Sequence, residues 1–305
     1  MRQLFSCLLF LTMACATAPA TPSTSSSTTA NASGPSLPFM EPPAAPPPGT
    51  QLIRRADKLM EEKAHEQALA LYQQAWDAGD KRENVAYSAA CASALIGRKS
   101  EAMTWLERSV ELGFRDVAWM KQDTDLSSIH GEPAFAALLA RIPTLPVPVK
   151  NEGSNPELIQ IGEDDQQDRR GNGLGPDDWK KVSERDRQRR QRVTELLAAG
   201  AAKTGADFLA AALVFQHGDT LEDFAKAREL AAEAARKGHP MGLWLTAAAW
   251  DRWLMKAEQP QRFGTQYTLD KATKQMRLYP VDPSVKDAER ERWGFPPLAE
   301  IPQSL

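Results

Sequence analysis

The sequence predicts an all-α protein of paired helices in two successive regions, with one small β-hairpin near the C-terminus. Three observations predict it. Apolar residues recur at helical spacing through residues 51–142 and again through 177–257. Two stretches superpose when the chain is shifted by 34 residues, so that Ala68, Tyr72, Ala75 and Gly79 fall on Ala102, Leu106, Ser109 and Gly113. Glycine stands just past several periodic stretches, at Gly79, Gly113, Gly218 and Gly238, where a helix closes in the left-handed conformation or a turn follows.

At the N-terminus, residues 1–14 read as an export signal. Arg2 supplies a positive charge, and Leu4 to Met13 is an apolar core broken only by Ser6, Cys7 and Thr12. It is far shorter than the roughly 20 residues a membrane span needs. Two processing routes fit the small residues that follow. One cuts at Ala16-Thr17-Ala18 and releases a secreted protein. The other cuts between Ala14 and Cys15 and attaches a lipid to Cys15. Leu11-Thr12-Met13-Ala14-Cys15 resembles a bacterial lipobox, with Thr12 where leucine is usual. The favoured expectation is lipid attachment at Cys15, hence a periplasmic or outer-membrane lipoprotein of the bacterial cell envelope. Of three cysteines, only Cys91 then remains among folded residues, flanked by Ala89, Ala90 and Ala92, and it reads as a small buried side chain. Residues 15–50 are rich in Ala, Thr, Ser and Pro with little to bury, and read as a disordered tether.

The second region, residues 51–142, holds two predicted helical hairpins: 51–62 with 66–78, and 84–96 with 100–112. Ser100 is read as an N-cap, and a further helix is expected over 125–142, its second part opened by Glu132-Pro133. The 34-residue period, with small residues bracketing a bulky apolar one, resembles the tetratricopeptide repeat. Val85 to Ile142 resembles the last repeat and closing helices of bacterial tetratricopeptide proteins, although Lys63 occupies the turn position where glycine is usual. The resemblance implies a protein or peptide partner for this module, or a packing module that orients the rest of the chain. Residues 143–176 read as a linker, Pro143, Pro146 and Pro148 at its start, with a short helix over 155–170.

For residues 177–305 four helices are expected: 177–199 capped by Asp177, 206–216, 221–237 and 241–257. Two short strands over 263–269 and 276–281 and a last helix over 284–293 follow. Thr220 and Asp223 form a capping-box pattern. The surroundings of Gly238, with Ala231, Ala234 and Ala235, resemble a Sel1-type helical repeat.

Several polar residues stand where a helix should be apolar. Asp251 is flanked at helical spacing by Ala247, Ala248, Leu254 and Met255, so its carboxylate points into a packed face and needs a partner. Arg189, Arg190, Arg262 and His217 are the partners offered. Asp186 shares a face with Val182, Val193 and Leu197 and has Arg190 one turn on. These groups, with the 261–266 loop, form either one polar pocket or a buried ion-pair network that sets helix register. The series Asp165-Gln166-x-x-Arg169, Gln216-His217-Gly218, Asp251-Arg252 and Gln261-Arg262-Phe263-Gly264-Thr265-Gln266 resembles an uncharacterised bacterial domain family of unknown function, over residues 155–299. The resemblance implies one constellation, and the site residues expected are Asp165, Arg169, Asp186, His217, Asp251, Arg252, Gln261, Thr265 and Gln266.

The chain has no phosphate-binding loop, no nucleophile elbow, no H-E-x-x-H pair and no C-x-x-C. Four widely spaced histidines argue against a metal site, and no cofactor is expected. A net charge of −3, and a basic run at 185–192 interleaved with Glu184 and Asp186, argue against nucleic acid. The expected function is an exported interaction or scaffold protein with an N-terminal lipid in the membrane. The alternative is a hydrolase using an Asp/His/Gln pocket in the C-terminal domain.

Overall fold

The structure is a computed structural model and describes residues 35–146, 152–169 and 175–304. The export signal, Cys15 and the tether as far as residue 34 lie outside the described residues. Among those described, twelve α-helices and one antiparallel two-stranded hairpin make an all-α fold with a small β element. The chain divides into two compact units.

The first unit is the described part of Pro46–Lys150. It holds α1 (Thr50–Glu61), α2 (His65–Asp77), α3 (Glu83–Leu95) and α4 (Lys99–Leu112), each packed on the next. Helix α3 is lined with small buried residues, Ala86, Ala89, Ala90 and Ala92, which let its neighbours approach closely. Leu69, Tyr72 and Leu106 fill the seam. Lys63, in the turn between α1 and α2, takes the left-handed conformation itself, with φ 62°. Ser100 is not a cap: α4 starts at Lys99, with Arg98 before it. The helix expected over 125–142 is present only in its second part, α6 (Pro133–Arg141), preceded by a 3₁₀ turn at Thr124–Leu126; α5 (Val117–Gln122), before that range, was not expected. Aspartates start two of these pieces. Asp116 accepts from the Trp119 N–H at 2.8 Å, and Asp123 from the Asp125 N–H at 3.0 Å. Pro133 opens α6.

The second unit combines the described parts of Met1–Ala45 and Asn151–Leu305. Its helices are α7 (Pro156–Gln167), α8 (Pro176–Ala198), α9 (Gly205–Gln216), α10 (Leu221–Arg236), α11 (Gly242–Lys256) and α12 (Asp287–Arg292). Strand β1 (Tyr267–Leu269) pairs antiparallel with β2 (Met276–Leu278), Tyr267 opposite Leu278. Strand β1 starts later than predicted because residues 261–266 turn around the Asp251 carboxylate instead, and β2 ends at Leu278. The helix expected inside the linker, α7, is a packed member of this unit. Asn155 caps it, accepting from the N–H groups of Glu157 and Leu158, and Leu158 is fully buried beside Val193, Val214 and Leu245. Helix α8 begins after Gly175, whose N–H Asp178, not Asp177, accepts at 3.1 Å.

Capping boxes open α9 and α10. Thr204 pairs with Asp207 and Thr220 with Asp223, each hydroxyl accepting one N–H and each carboxylate returning the bond. Replacing Thr220 by alanine removes one acceptor from an exposed helix start. It is expected to lower the stability of this unit by about 1 kcal/mol, read as a shift in urea midpoint.

A separate aromatic core joins Trp250, Phe263, Trp293 and Phe295, with ring centroids 5.0–6.0 Å apart along the cluster. Part of the expected tether is seated here. Leu37, Met40 and Ala44 pack against this cluster, so residues 35–45 are a structured portion of the second unit. Their apolar side chains have an aromatic surface to cover, which the residue composition of 15–50 does not reveal.

Candidate functional site

The expected site residues fall into two polar networks of the second unit, joined by Arg252. The first lies where α7, α8 and the end of α9 meet. Asp165, on the last turn of α7, is fully buried. It accepts from Arg169 Nη1 at 3.0 Å, Gln166 Nε2 at 2.9 Å and His217 Nδ1 at 2.8 Å. Arg169 reaches onward with Nη2 to Asp186 on α8 at 2.5 Å. Asp186 also accepts from Arg189 at 3.0 Å, and Arg189 donates to Asp168 at 2.5 Å. Charges therefore alternate along a chain of partly to fully buried groups, which is the arrangement that keeps buried carboxylates ionised.

Helix spacing positions each member. Asp165 and Arg169 are one turn apart, as are Arg185 and Arg189, so each pair lies on one face. Arg190, offered as the partner of Asp186, turns away. It lies 3.6 Å from Asp223 and donates to the His217 carbonyl at 3.4 Å. Asp168 and Arg189 were not among the expected site residues. For Arg189 the signal was the basic run at 185–192, read as a solvated or ion-paired face, from which it turns inward.

Burial by itself raises the Asp165 carboxyl, but the His217 contact and the Arg169 charge more than reverse this and hold it below its ordinary range. Burial pushes the His217 imidazole below its ordinary value against the pull of Asp165. An ionised carboxylate only accepts, so the hydrogen-bond network assigns the imidazole proton to Nδ1 and leaves Nε2 as the basic nitrogen. The unfolded chain then binds a proton below about pH 6.5 that the folded imidazole refuses. The stability lead of the wild type over His217→Asn is accordingly expected to shrink on acidification from pH 6.5 to 5. The slope approaches 1.4 kcal/mol per pH unit at most, about one proton. Parallel pH profiles for the two proteins would contradict this.

The second network surrounds Asp251 on α11, also fully buried. None of the offered cations is its partner; it accepts instead from the main chain of the following loop. Oδ1 accepts from the N–H of Arg262 at 2.7 Å, and both oxygens from Phe263 at 3.1 Å. Oδ2 also accepts from the Thr265 N–H at 3.1 Å and its hydroxyl at 2.9 Å. The Arg262 guanidinium goes elsewhere, to Glu289 at 2.5 Å. Burial pushes the Asp251 carboxyl up to about 6, against the downward pull of these donors. The two glutamines lock the loop. Gln261 donates to the carbonyls of Gln266 and Tyr279 and accepts from the Gln266 N–H. Gly264 makes the turn possible: its φ is +78°, and a Cβ there would lie 2.5 Å from the Ile301 side chain.

Arg252 bridges the networks. Nε donates to Gln266 Oε1 at 3.1 Å and Nη1 to the Gln216 carbonyl at 2.8 Å, next to His217. Between α8 and α9 a small cleft is lined by Arg169, Trp179, Ser183, Asp186, His217, Asp219 and Arg252. It offers about 20 Å³, room for a water-sized group. The cleft thus gathers Arg169, Asp186, His217 and Arg252, with Asp165 behind them. Asp251, Gln261, Thr265 and Gln266 lie in the loop network behind Arg252. Ser183, Trp179 and Gln216 were not expected. Gln216 stood in the same short motif as His217, which was the signal available for it.

In the first unit, Cys91, Asp123 and Asp125 offer ligand atoms within 4.8 Å of one another. The groups bond among themselves, Cys91 Sγ lying 3.7 Å from Asp123 and the Tyr87 hydroxyl donating to the same carboxylate. Burial pushes the thiol up, so it stays protonated.

Among the described residues no helix is long and apolar enough to cross a membrane. Comparison of the chain with known protein families, with curated proteins and with solved structures finds no match.

Proposed function

We propose that this chain is an exported interaction or scaffold protein of the bacterial cell envelope, held at a membrane by a lipid on Cys15. Its first unit acts as a tetratricopeptide-like module for a protein or peptide partner. One observation carries the choice of scaffold over enzyme: the buried carboxylates Asp165, Asp186 and Asp251 have their hydrogen bonds taken up by neighbouring groups of the chain itself. Asp251 is enclosed by its own loop, and Asp165 and Asp186 by Arg169 and Arg189. Such a network sets how helices seat on each other, and the cleft it borders has room for a water-sized group.

The hydrolase alternative draws on a different feature. Asp165 orients His217 at 2.8 Å, and His217 borders the cleft beside Ser183 and two arginines, the geometry of an oriented general base. His217→Asn separates the readings. The interaction reading expects cells expressing the variant to retain both the crosslinked partner of the wild type and its phenotype. Loss of phenotype with unchanged fold and unchanged crosslinking supports the hydrolase. Replacing Cys15 by alanine is expected to abolish incorporation of radiolabelled fatty acid and release the protein from the membrane fraction; persistent labelling would overturn the anchor.

A further inference from the structure

Residues 35–45 lie on the second unit as a bound peptide lies on a receptor. The segment has no regular secondary structure, and its backbone bonds go to receptor side chains. Gln259 Nε2 donates to the Pro35 carbonyl at 2.9 Å and Arg228 Nη1 to the Pro38 carbonyl at 3.0 Å. Three residues further on, the Glu41 carboxylate pairs with Arg292. Leu37 and Met40, three residues apart, pack on the aromatic cluster, and Ala44 follows four residues later. A period of three is that of a polyproline helix, and Pro35, Pro38, Pro42 and Pro43 punctuate the stretch.

The receptor side is shaped for such a ligand. Arg228 is only 4% exposed and forms no ion pair among the described residues. It lies over the Trp250 ring at 4.6 Å, and Arg262 lies over the same ring at 5.0 Å. Phe39 meets the Trp250 ring edge-on at 5.9 Å and stays 59% exposed. A flat aromatic with flanking donors aimed at carbonyl oxygens recognises proline-rich chains, whose restricted backbone loses little entropy on docking. The bound segment buries little of itself: Pro35, Ser36, Pro38, Phe39 and Glu41 are all exposed. Its occupancy rests on belonging to the same chain, which makes its docking an intramolecular step.

We propose that the surface built from Arg228, Trp250, Gln259, Arg262 and Arg292 is a receptor site for an extended proline-rich segment of a partner protein. That segment carries apolar residues three apart and a following carboxylate, and residues 35–45 of this chain occupy the site in cis. The proposal assigns a partner chemistry to the interaction reading above and rests on it. The partner displaces the chain's own segment, and the displaced segment returns when the partner leaves.

The test uses the full chain and a fluorescein-labelled peptide with the sequence of residues 34–46, titrated by fluorescence polarisation. In the wild type the attached segment competes and binding is weak. In Leu37→Asp/Met40→Asp, which loosens the attached segment alone, the peptide is expected to bind at least tenfold more tightly. Adding Arg228→Ala to that variant is expected to remove the gain. Circular dichroism and tryptophan fluorescence check that each variant is folded. Glu41→Arg, on the exposed rim, serves if the double variant does not fold, with a gain of at least threefold expected. A folded release variant that binds no more tightly than the wild type overturns the proposal. So does a gain that survives Arg228→Ala, or a wild-type dimer in sedimentation together with no peptide binding, which would give the segment to a second copy. These outcomes leave the crosslinking test of the interaction reading untouched, so the two can fail separately.

Discussion

Replacing Asp251 by alanine is expected to destabilise the second unit by about 4 kcal/mol. Four donors, the N–H groups of Arg262, Phe263 and Thr265 and the Thr265 hydroxyl, point at one carboxylate with no exposed surface. Each buried donor left without an acceptor costs about 1–3 kcal/mol, and relaxation of the loop recovers part of the total. Asparagine keeps one acceptor oxygen but turns an amide toward the remaining donors, so Asp251→Asn is expected to cost about half as much. Both are read by urea denaturation followed through the fluorescence of Trp250 and Trp293, which pack beside the loop. A loss under about 1 kcal/mol for the alanine variant would show that the loop holds itself without the carboxylate.

Arg169→Met should cost about 3–5 kcal/mol, the range for removing one partner of a buried ion pair. The guanidinium joins Asp165 to Asp186 with about 8% of its side chain exposed, and its removal leaves two carboxylates facing each other without the cation between them. Arg189 compensates Asp186 in part, at 3.0 Å, but its guanidinium bonds lie with Asp186, Asp168 and the Asp164 carbonyl rather than with Asp165. The coupling shows in a double-mutant cycle. Adding Asp186→Asn to Arg169→Met is expected to cost less than the two single changes summed, because the second removes a charge the first stranded. Strict additivity would mean that the two groups do not act through each other.

Much of the helical architecture was legible from short-range signals. The ends of α1 to α4 and α7 to α11 fall within a few residues of where periodicity, glycine and capping pairs place them. Thr220 with Asp223 marks the start of α10 by chemistry that is complete within four residues. The region after α4 is not legible in the sequence because Asp116 and Asp123 each begin a fresh turn, and an aspartate in a loop and one at a cap look alike until their N–H partners are known. At the site, the misfit of Asp251 was visible as a carboxylate among apolar helical neighbours. Its partner was not. Helical spacing points to a side-chain cation, whereas the loop supplies main-chain donors whose direction depends on how Gln261 and Gln266 fold it.

Periodicity, capping and the charge of individual side chains are properties of a few neighbouring residues, and they alone established paired helices, a hairpin near the C-terminus and a polar seam in the second half. Whether Asp165 would meet His217, 52 positions away, and whether Pro38 would accept from Arg228, 190 positions away, depended on the packing of whole elements. Contacts of that separation form only when the helices between them are stacked, because closing such a loop is entropically unfavourable until many contacts form together.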